Sequence, residues 1–213
     1  MRLLATRHIV TLLLLFPLLA LGQVTGIDVS KYQGSINWKK VASTKKVSFV
    51  YIKATEGSTI QDPYYKTNIK KARAEGLPVG SYHLYSSKTT ATQQFANFKS
   101  VVKKEQQDLI PVLDIEARHS KGLNMARVDK LLELFEKEYG VKPIIYTSES
   151  VYFDHFTTKK YAQYQIFIAN YLRYPKCRFT LWQYTQTGKI AGISGYVDFS
   201  KINSKKKLAD IKL

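Results

Sequence analysis

One cysteine in 213 residues, Cys177, excludes an internal disulfide, so packing alone must hold the fold together. A lone thiol acting as a nucleophile would need a neighbouring histidine or cation to activate it. Arg178 is adjacent, but "YPKCRF" reads as a connection between strands, and Cys177 is assigned a structural place. Acidic residues are scarce as well: 16 Asp and Glu stand against 33 Lys and Arg, a formal charge of +17. The excess favours an anionic partner, although lysines spread over the whole chain also serve solubility. HExxH-type spacing is missing, and the glycines of "TGKIAGISGYVD" lack the GKS or GKT of a phosphate loop. No cofactor and no metal is therefore called for. Internal repeats and low-complexity linkers are absent too, and the length suits one main domain.

Long apolar runs are confined to the N-terminus. Arg2 and Arg7 precede an apolar stretch from Ile9 to Ala20, followed by the small residues Ala20 and Gly22. A dozen apolar residues match a signal-peptide core and fall short of a membrane span. The expectation is a signal peptide over 1–22 and a mature chain over 23–213, exported to a secreted or periplasmic location without stable membrane insertion. Export also argues against a nucleic-acid partner, as does the lack of a recognisable nucleic-acid module. The lysine-rich end, "KINSKKKLADIKL", is expected to be solvated and frayed.

Eight short segments rich in β-branched and aromatic residues read as strands: "GIDVS", "VSFVYIKAT", "LPVGSYHLY", "LIPVLDIEA", "KPIIYTS", "YQIFIANY", "FTLWQYT" and "YVDFSKI". Helical signals separate the first five. Asp62-Pro63 reads as an N-cap and first helical residue, with Gly76 and Pro78 as the stop. "TTATQQFANFKSVVKKEQQ" is a second helical segment. In "MARVDKLLELFEKEYG", Val128, Leu131, Leu132, Phe135 and Tyr139 share one face, and Gly140 ends the helix. The pattern predicts an α/β fold, a TIM-like barrel of five βα units followed by three strands.

In such barrels the chemistry sits at the C-terminal ends of the strands. Those ends carry Asp28, Glu56, His83, the pair Asp114 and Glu116, Tyr146, Trp182 with Tyr184, and Asp198. Residues two apart on a strand point the same way, with Cα atoms roughly 6.6 Å apart. Asp114 and Glu116 in "PVLDIE" therefore face one cavity. Two neighbouring carboxylates repel, which lets one hold a proton, and a protonated acid beside an ionised one suits glycosidic bond cleavage. Aromatic faces suit sugar rings. The rival use of His83, Asp28, Asp114 and Asp198 is to hold a divalent ion.

Five motifs in order, "GIDVSKYQG", "YIKATEG", "GSYHLY", "PVLDIE" and "LWQYTQTGKIAGISGYVDFS", resemble those of the glycoside hydrolase family 25 lysozymes of the Chalaropsis type. The likeness runs from Gly26 to Ser200. It implies a flattened barrel and an N-acetylmuramidase that cuts the β-1,4 bond of peptidoglycan glycan strands; a monomer is expected. By position it implies Glu116 as general acid and Asp114 as the group assisting the substrate N-acetyl. Asp28 and Asp198 become supporting acids, and Tyr85, Tyr146, Trp182 and Tyr184 substrate-binding residues; His83, from its place at a strand end, is expected to bind substrate beside them. Glu56 falls where it would organise a loop. Phe167 stands where the family often has Trp, and no wall-binding repeats follow the barrel. A barrel that binds peptidoglycan without cutting it is the alternative.

Overall fold

The structure, a computed structural model, describes residues 23–116 and 122–213. The expected signal peptide lies outside these residues. Nine strands and five α-helices are described: β1 (Thr25–Val29), α1 (Trp38–Ser43), β2 (Phe49–Glu56), β3 (Ile60–Gln61), α2 (Tyr65–Ala74), β4 (Val79–Leu84), α3 (Ala91–Val101), β5 (Val112–Asp114), α4 (Met125–Tyr139), β6 (Ile144–Ser148), α5 (Glu149–His155), β7 (Ile166–Ala169), β8 (Leu181–Gly188) and β9 (Val197–Ile202). The sheet order is β1-β9-β8-β7-β6-β5-β4-β2-β3, and β1 also pairs with β2. Eight strands thus close a barrel, with the two-residue β3 as an extra strand on β2. Five βα units followed by β7, β8 and β9 match the sequence reading.

Strand direction departs from a fully parallel barrel at one place. β1 runs parallel to β2, and each pair from β2–β4 through β7–β8 is parallel, but β9 is antiparallel to both β8 and β1. The reason is local: β8 and β9 are joined without a helix long enough to carry the chain back along the barrel. The start of β9, not its end, therefore lies at the rim formed by the C-terminal ends of the other strands.

Local chemistry sets the helix ends. Asn37, Thr90, Asn124 and Ser148 each accept a backbone N–H at the start of α1, α3, α4 and α5. At the other end of α4, Gly140 adopts φ 75°, the left-handed conformation expected there. One cap differs from expectation. Asp62 accepts N–H groups from Tyr64 and, across the chain, Lys31, while α2 itself begins at Tyr65. The Asp-Pro pair makes the approach turn and not the first helical turn.

Two apolar layers result. Outside the barrel, the buried stripe of α4 (Val128, Leu131, Leu132, Phe135, Tyr139) packs with α3 and the outward faces of the strands. Inside, Phe49, Tyr51, Val112, Ile144, Tyr146, Phe167, Leu181 and Ile202 fill the barrel. Gly26 and Gly80 make room for two of these rings: a Cβ would fall 2.2 Å from Phe49 and 2.4 Å from Tyr51. The C-terminal tail is not frayed. Ile211 is fully buried in the interior cluster, its carbonyl accepts Ile110 N–H at 2.9 Å, and Leu213 N–H reaches Asp108 O. The lysines that suggested a solvated end are interrupted by the apolar residue that closes the barrel floor.

Candidate active site

Alternation along the strands decides which side chains reach the barrel mouth. On β5 and the residues after it, Val112, Asp114 and Glu116 face inward, while Leu113 and Ile115 join the outer layer. Asp28 from β1 and Asp198 from β9 are direct partners in the ladder. These four carboxylates line one pocket of about 310 Å³, together with Tyr32, Tyr51, Lys53, Tyr82, Tyr146, Phe167, Tyr171 and Gln183. The antiparallel β9 explains how Asp198, the second residue of its strand, arrives at the same rim as residues that end theirs.

Like charges opposite each other across a ladder are unfavourable, and burial adds to the cost. Desolvation and the neighbouring Asp198 push the Asp28 carboxyl well above the usual carboxylate range, against hydrogen bonds from Gln183 and Ser200. Asp198 is also raised, by burial and by the charge of Glu116, although a hydrogen bond with Asp28 acts the other way. The pair therefore shares a proton more readily than two exposed aspartates would. Burial and the surrounding acids raise Tyr82 and Tyr146 as well, so both phenols stay protonated. Lys53 donates to Glu56 at 2.7 Å, an ion pair within the last four residues of β2.

Of the residues expected at the site, Asp28, Asp114, Glu116, Asp198 and Tyr146 come together; His83, Tyr85, Trp182, Tyr184 and Glu56 do not line the pocket. His83 is fully buried between β4 and the helices, against Phe98 and Phe135. Its Nε2–H donates to Gln94 Oε1 and its Nδ1 accepts from the Thr55 hydroxyl, because the Gln94 amide nitrogen is committed to Ser86 and Thr89 carbonyls. Burial pulls it down to about 4, so it is a neutral core histidine. Tyr85 is also buried in the outer layer, with its hydroxyl on Asn124 O. Trp182 and Tyr184 lie on the outward face of β8: the indole N–H donates to Asn170 O, and Lys201 Nζ stands 4.5 Å over the Tyr184 ring. Glu56, the last residue of β2, pairs with Lys53 and borders a neighbouring hollow with Tyr85.

The inward partners on the same strands were missed: Tyr82 beside His83, and Gln183 between Trp182 and Tyr184. Register with the recognised acids held the signal. Counting by twos from Gly80, which must face inward against Tyr51, reaches Tyr82 and Leu84. Tyr171 comes from the loop after β7. That loop is anchored by the buried Glu149, which pairs with Arg173 and accepts from Asn170 Nδ2 and Lys176 N–H. Cys177 follows in the same connection, half-buried, with its thiol pushed up to about 11 by burial, which suits a structural place. Among the described residues no group of three or more His, Cys, Asp or Glu side chains is placed to hold a metal ion, and His83 is turned away from the acids.

A family model described as glycosyl hydrolases family 25 matches residues 27–193. The chain is 36% identical over 191 residues to the uncharacterized protein YegX of Escherichia coli K12, covering 84% of this chain and 70% of that one. It is 33% identical over 202 residues to lysozyme M1 of Streptomyces globisporus, covering 84% and 68%. The fold superposes on the crystal structure of a lysozyme from Streptomyces coelicolor with a TM-score of 0.78 and 30% identity, covering 90% of this chain and 96% of that chain. The family match spans most of the barrel and holds Asp28, Asp114 and Glu116 within its bounds, with Asp198 just beyond them: the chain belongs to glycosyl hydrolase family 25.

Proposed function

We propose that the protein is a peptidoglycan hydrolase, an N-acetylmuramidase that cuts the β-1,4 bond between N-acetylmuramic acid and N-acetylglucosamine. The observation that carries the reading is the gathering of Asp28, Asp114, Glu116 and Asp198 at one barrel mouth, in a chain of this family. Glu116, in its protonated form, donates to the glycosidic oxygen as the bond to the anomeric carbon breaks. Positive charge develops at that carbon, and the substrate's own acetamido oxygen closes on it while Asp114 stabilises the acetamido group. Water then opens this intermediate, giving its proton back to Glu116, so that configuration is retained. Asp28 and Asp198 act as the neighbouring acid pair that sets the field of the pocket. Tyr32, Tyr82 and Tyr171 take the stacking and hydrogen-bonding places first expected of the outward aromatics.

Export of the mature chain over 23–213, after removal of 1–22, brings this chemistry to the wall. Among the described residues no helix is long and apolar enough to cross a membrane. The decisive experiment is digestion of purified peptidoglycan with mass spectrometry of the new reducing ends. Muramic acid at those ends is the expected result. Glucosamine would make the protein a glucosaminidase, and binding without release of fragments would leave a carbohydrate-binding barrel.

A further inference from the structure

Gln183 is 1% exposed and points into the barrel between the acid pair and two tyrosines. Its Nε2 donates to Asp28 Oδ1 at 2.8 Å and Oδ2 at 3.0 Å. Its Oε1 accepts from Tyr146 Oη at 2.7 Å and Tyr171 Oη at 2.5 Å. The amide orientation follows from Asp28: its two oxygens carry at most one proton, so one of them can only be met by an N–H, and with the nitrogen end placed there Oε1 is left to take the phenol protons. A carbonyl oxygen has two lone pairs, and both are taken. Each phenol has one proton; the two hydroxyls also lie within hydrogen-bond reach of each other, but with both protons on Gln183 Oε1 neither donates to the other. What the phenols retain toward the pocket are oxygen lone pairs, which accept and cannot donate.

We propose that Gln183 is a positioning residue: it couples the Asp28–Asp198 pair to Tyr146 and Tyr171, and so makes both phenols obligate acceptors toward the saccharide. The site thereby selects ligands that present N–H or O–H donors on that side, as an N-acetylated sugar does with its amide N–H and ring hydroxyls. This deepens, and rests on, the hydrolase reading. Gln183 acts through the groups it holds and need not touch the sugar.

Replacing the amide by an acid separates this role from simple packing. In Gln183→Glu the neutral carboxylic acid still offers a carbonyl to the phenols and an O–H to Asp28. Once ionised, it has no donor and sets a second negative charge against Asp28. The other charged and titratable groups around it, Asp198 and, across the pocket, Asp114, Glu116, Tyr82 and Lys53, are common to both proteins, so the readout is the variant-to-wild-type ratio of kcat/KM. For Gln183→Glu this ratio is expected to fall by at least about tenfold between about pH 5 and about pH 8, because each unit above the introduced acid's pKa removes tenfold of its neutral form. Gln183→Leu should lose about 10²-fold at every pH, more in kcat than through KM, as a misplaced site does. A pH-independent ratio for Gln183→Glu would overturn the proposal. So would a Gln183→Leu variant within about twofold of wild type, in place of the loss of about 10²-fold expected from misplacement.

If Gln183→Leu does not fold, Tyr171→Phe removes one arm at a 40%-exposed residue. It should lower kcat/KM by about tenfold while the unfolding midpoint stays near wild type, and unchanged kinetics would count against the coupling. Unfolding midpoints against pH give a readout free of substrate. Gln183→Glu should lose stability relative to wild type as pH rises, and by more than Gln183→Leu, which loses only the hydrogen bond that favours ionised Asp28; a Gln183→Glu curve parallel to that of wild type would sink the proposal. A wild-type protein inactive on peptidoglycan defeats the hydrolase reading and leaves these curves to judge Gln183.

Discussion

Two acid pairs at the barrel mouth carry different burdens. Asp114 and Glu116 follow one another on a single strand end, so their geometry is set locally and survives small shifts of the barrel. Glu116→Gln keeps the shape but cannot give up a proton, and should lower the rate of reducing-end release by about 10²–10⁴-fold with an unchanged melting temperature. Near-normal turnover would remove Glu116 from the acid role. Asp28 and Asp198 answer to burial instead. Because the folded Asp28 carboxyl is raised above its unfolded value, its contribution to stability is complete in acid, below the ordinary carboxylate range, and is lost as pH rises through the raised value. Asp28→Asn mimics the protonated form at every pH: its oxygen can face Gln183 and its nitrogen Asp198. The variant should unfold at higher denaturant than wild type at neutral pH, and the gap should close on acidification. A gap that widens in acid would reverse the assignment.

At the scale of elements, periodicity revealed which segments are strands and helices but not which way the strand residues point. The apolar stripe of α4 and its glycine stop are a clean helical signal, and the structure follows it from Met125 to Tyr139. A barrel strand, however, is covered on both faces, by interior side chains and by helices. "GSYHLY" and "LWQYT" therefore carry aromatic or polar residues on both sides, and chemistry alone drew attention to His83 and Trp182 in place of Tyr82 and Gln183. "PVLDIE" escaped this ambiguity because its acids share one parity and cannot belong to the apolar outer layer. The tail misled for a different reason. One buried isoleucine outweighs a run of lysines, since a charged side chain can stay solvated while its neighbour docks. Ile211→Ala should cost about 2–5 kcal/mol in chemical denaturation. Activity measured well below the melting temperature should hold, because Ile211 meets Ile110, ahead of β5, and the acids lie beyond its other end. A stability change below about 0.5 kcal/mol, the range of surface substitutions, would show that the tail does not seal the floor.

The molecule as a whole is strongly basic around an acidic mouth, +17 overall against four carboxylates and Lys53 in the pocket. Exposed charges act over a Debye length of roughly 8 Å at physiological ionic strength. Added salt should therefore weaken binding to intact anionic walls, while turnover of a short soluble glycan free of peptides changes much less. Parallel salt titrations on the two substrates test this. Equal losses would place the basic surface inside the catalytic step.

Barrel closure joins the first strand to the last, and Ser200 donates to Asp28 across 172 residues of sequence. The seam of the barrel and the seam of the acid pair are the same place. Contacts this distant in sequence form slowly, because the closure entropy of the intervening chain must be overcome before they yield anything. The carboxylate pair exists only where β9 lies antiparallel beside β1, so any change that opens this seam takes the pair apart as it opens the barrel.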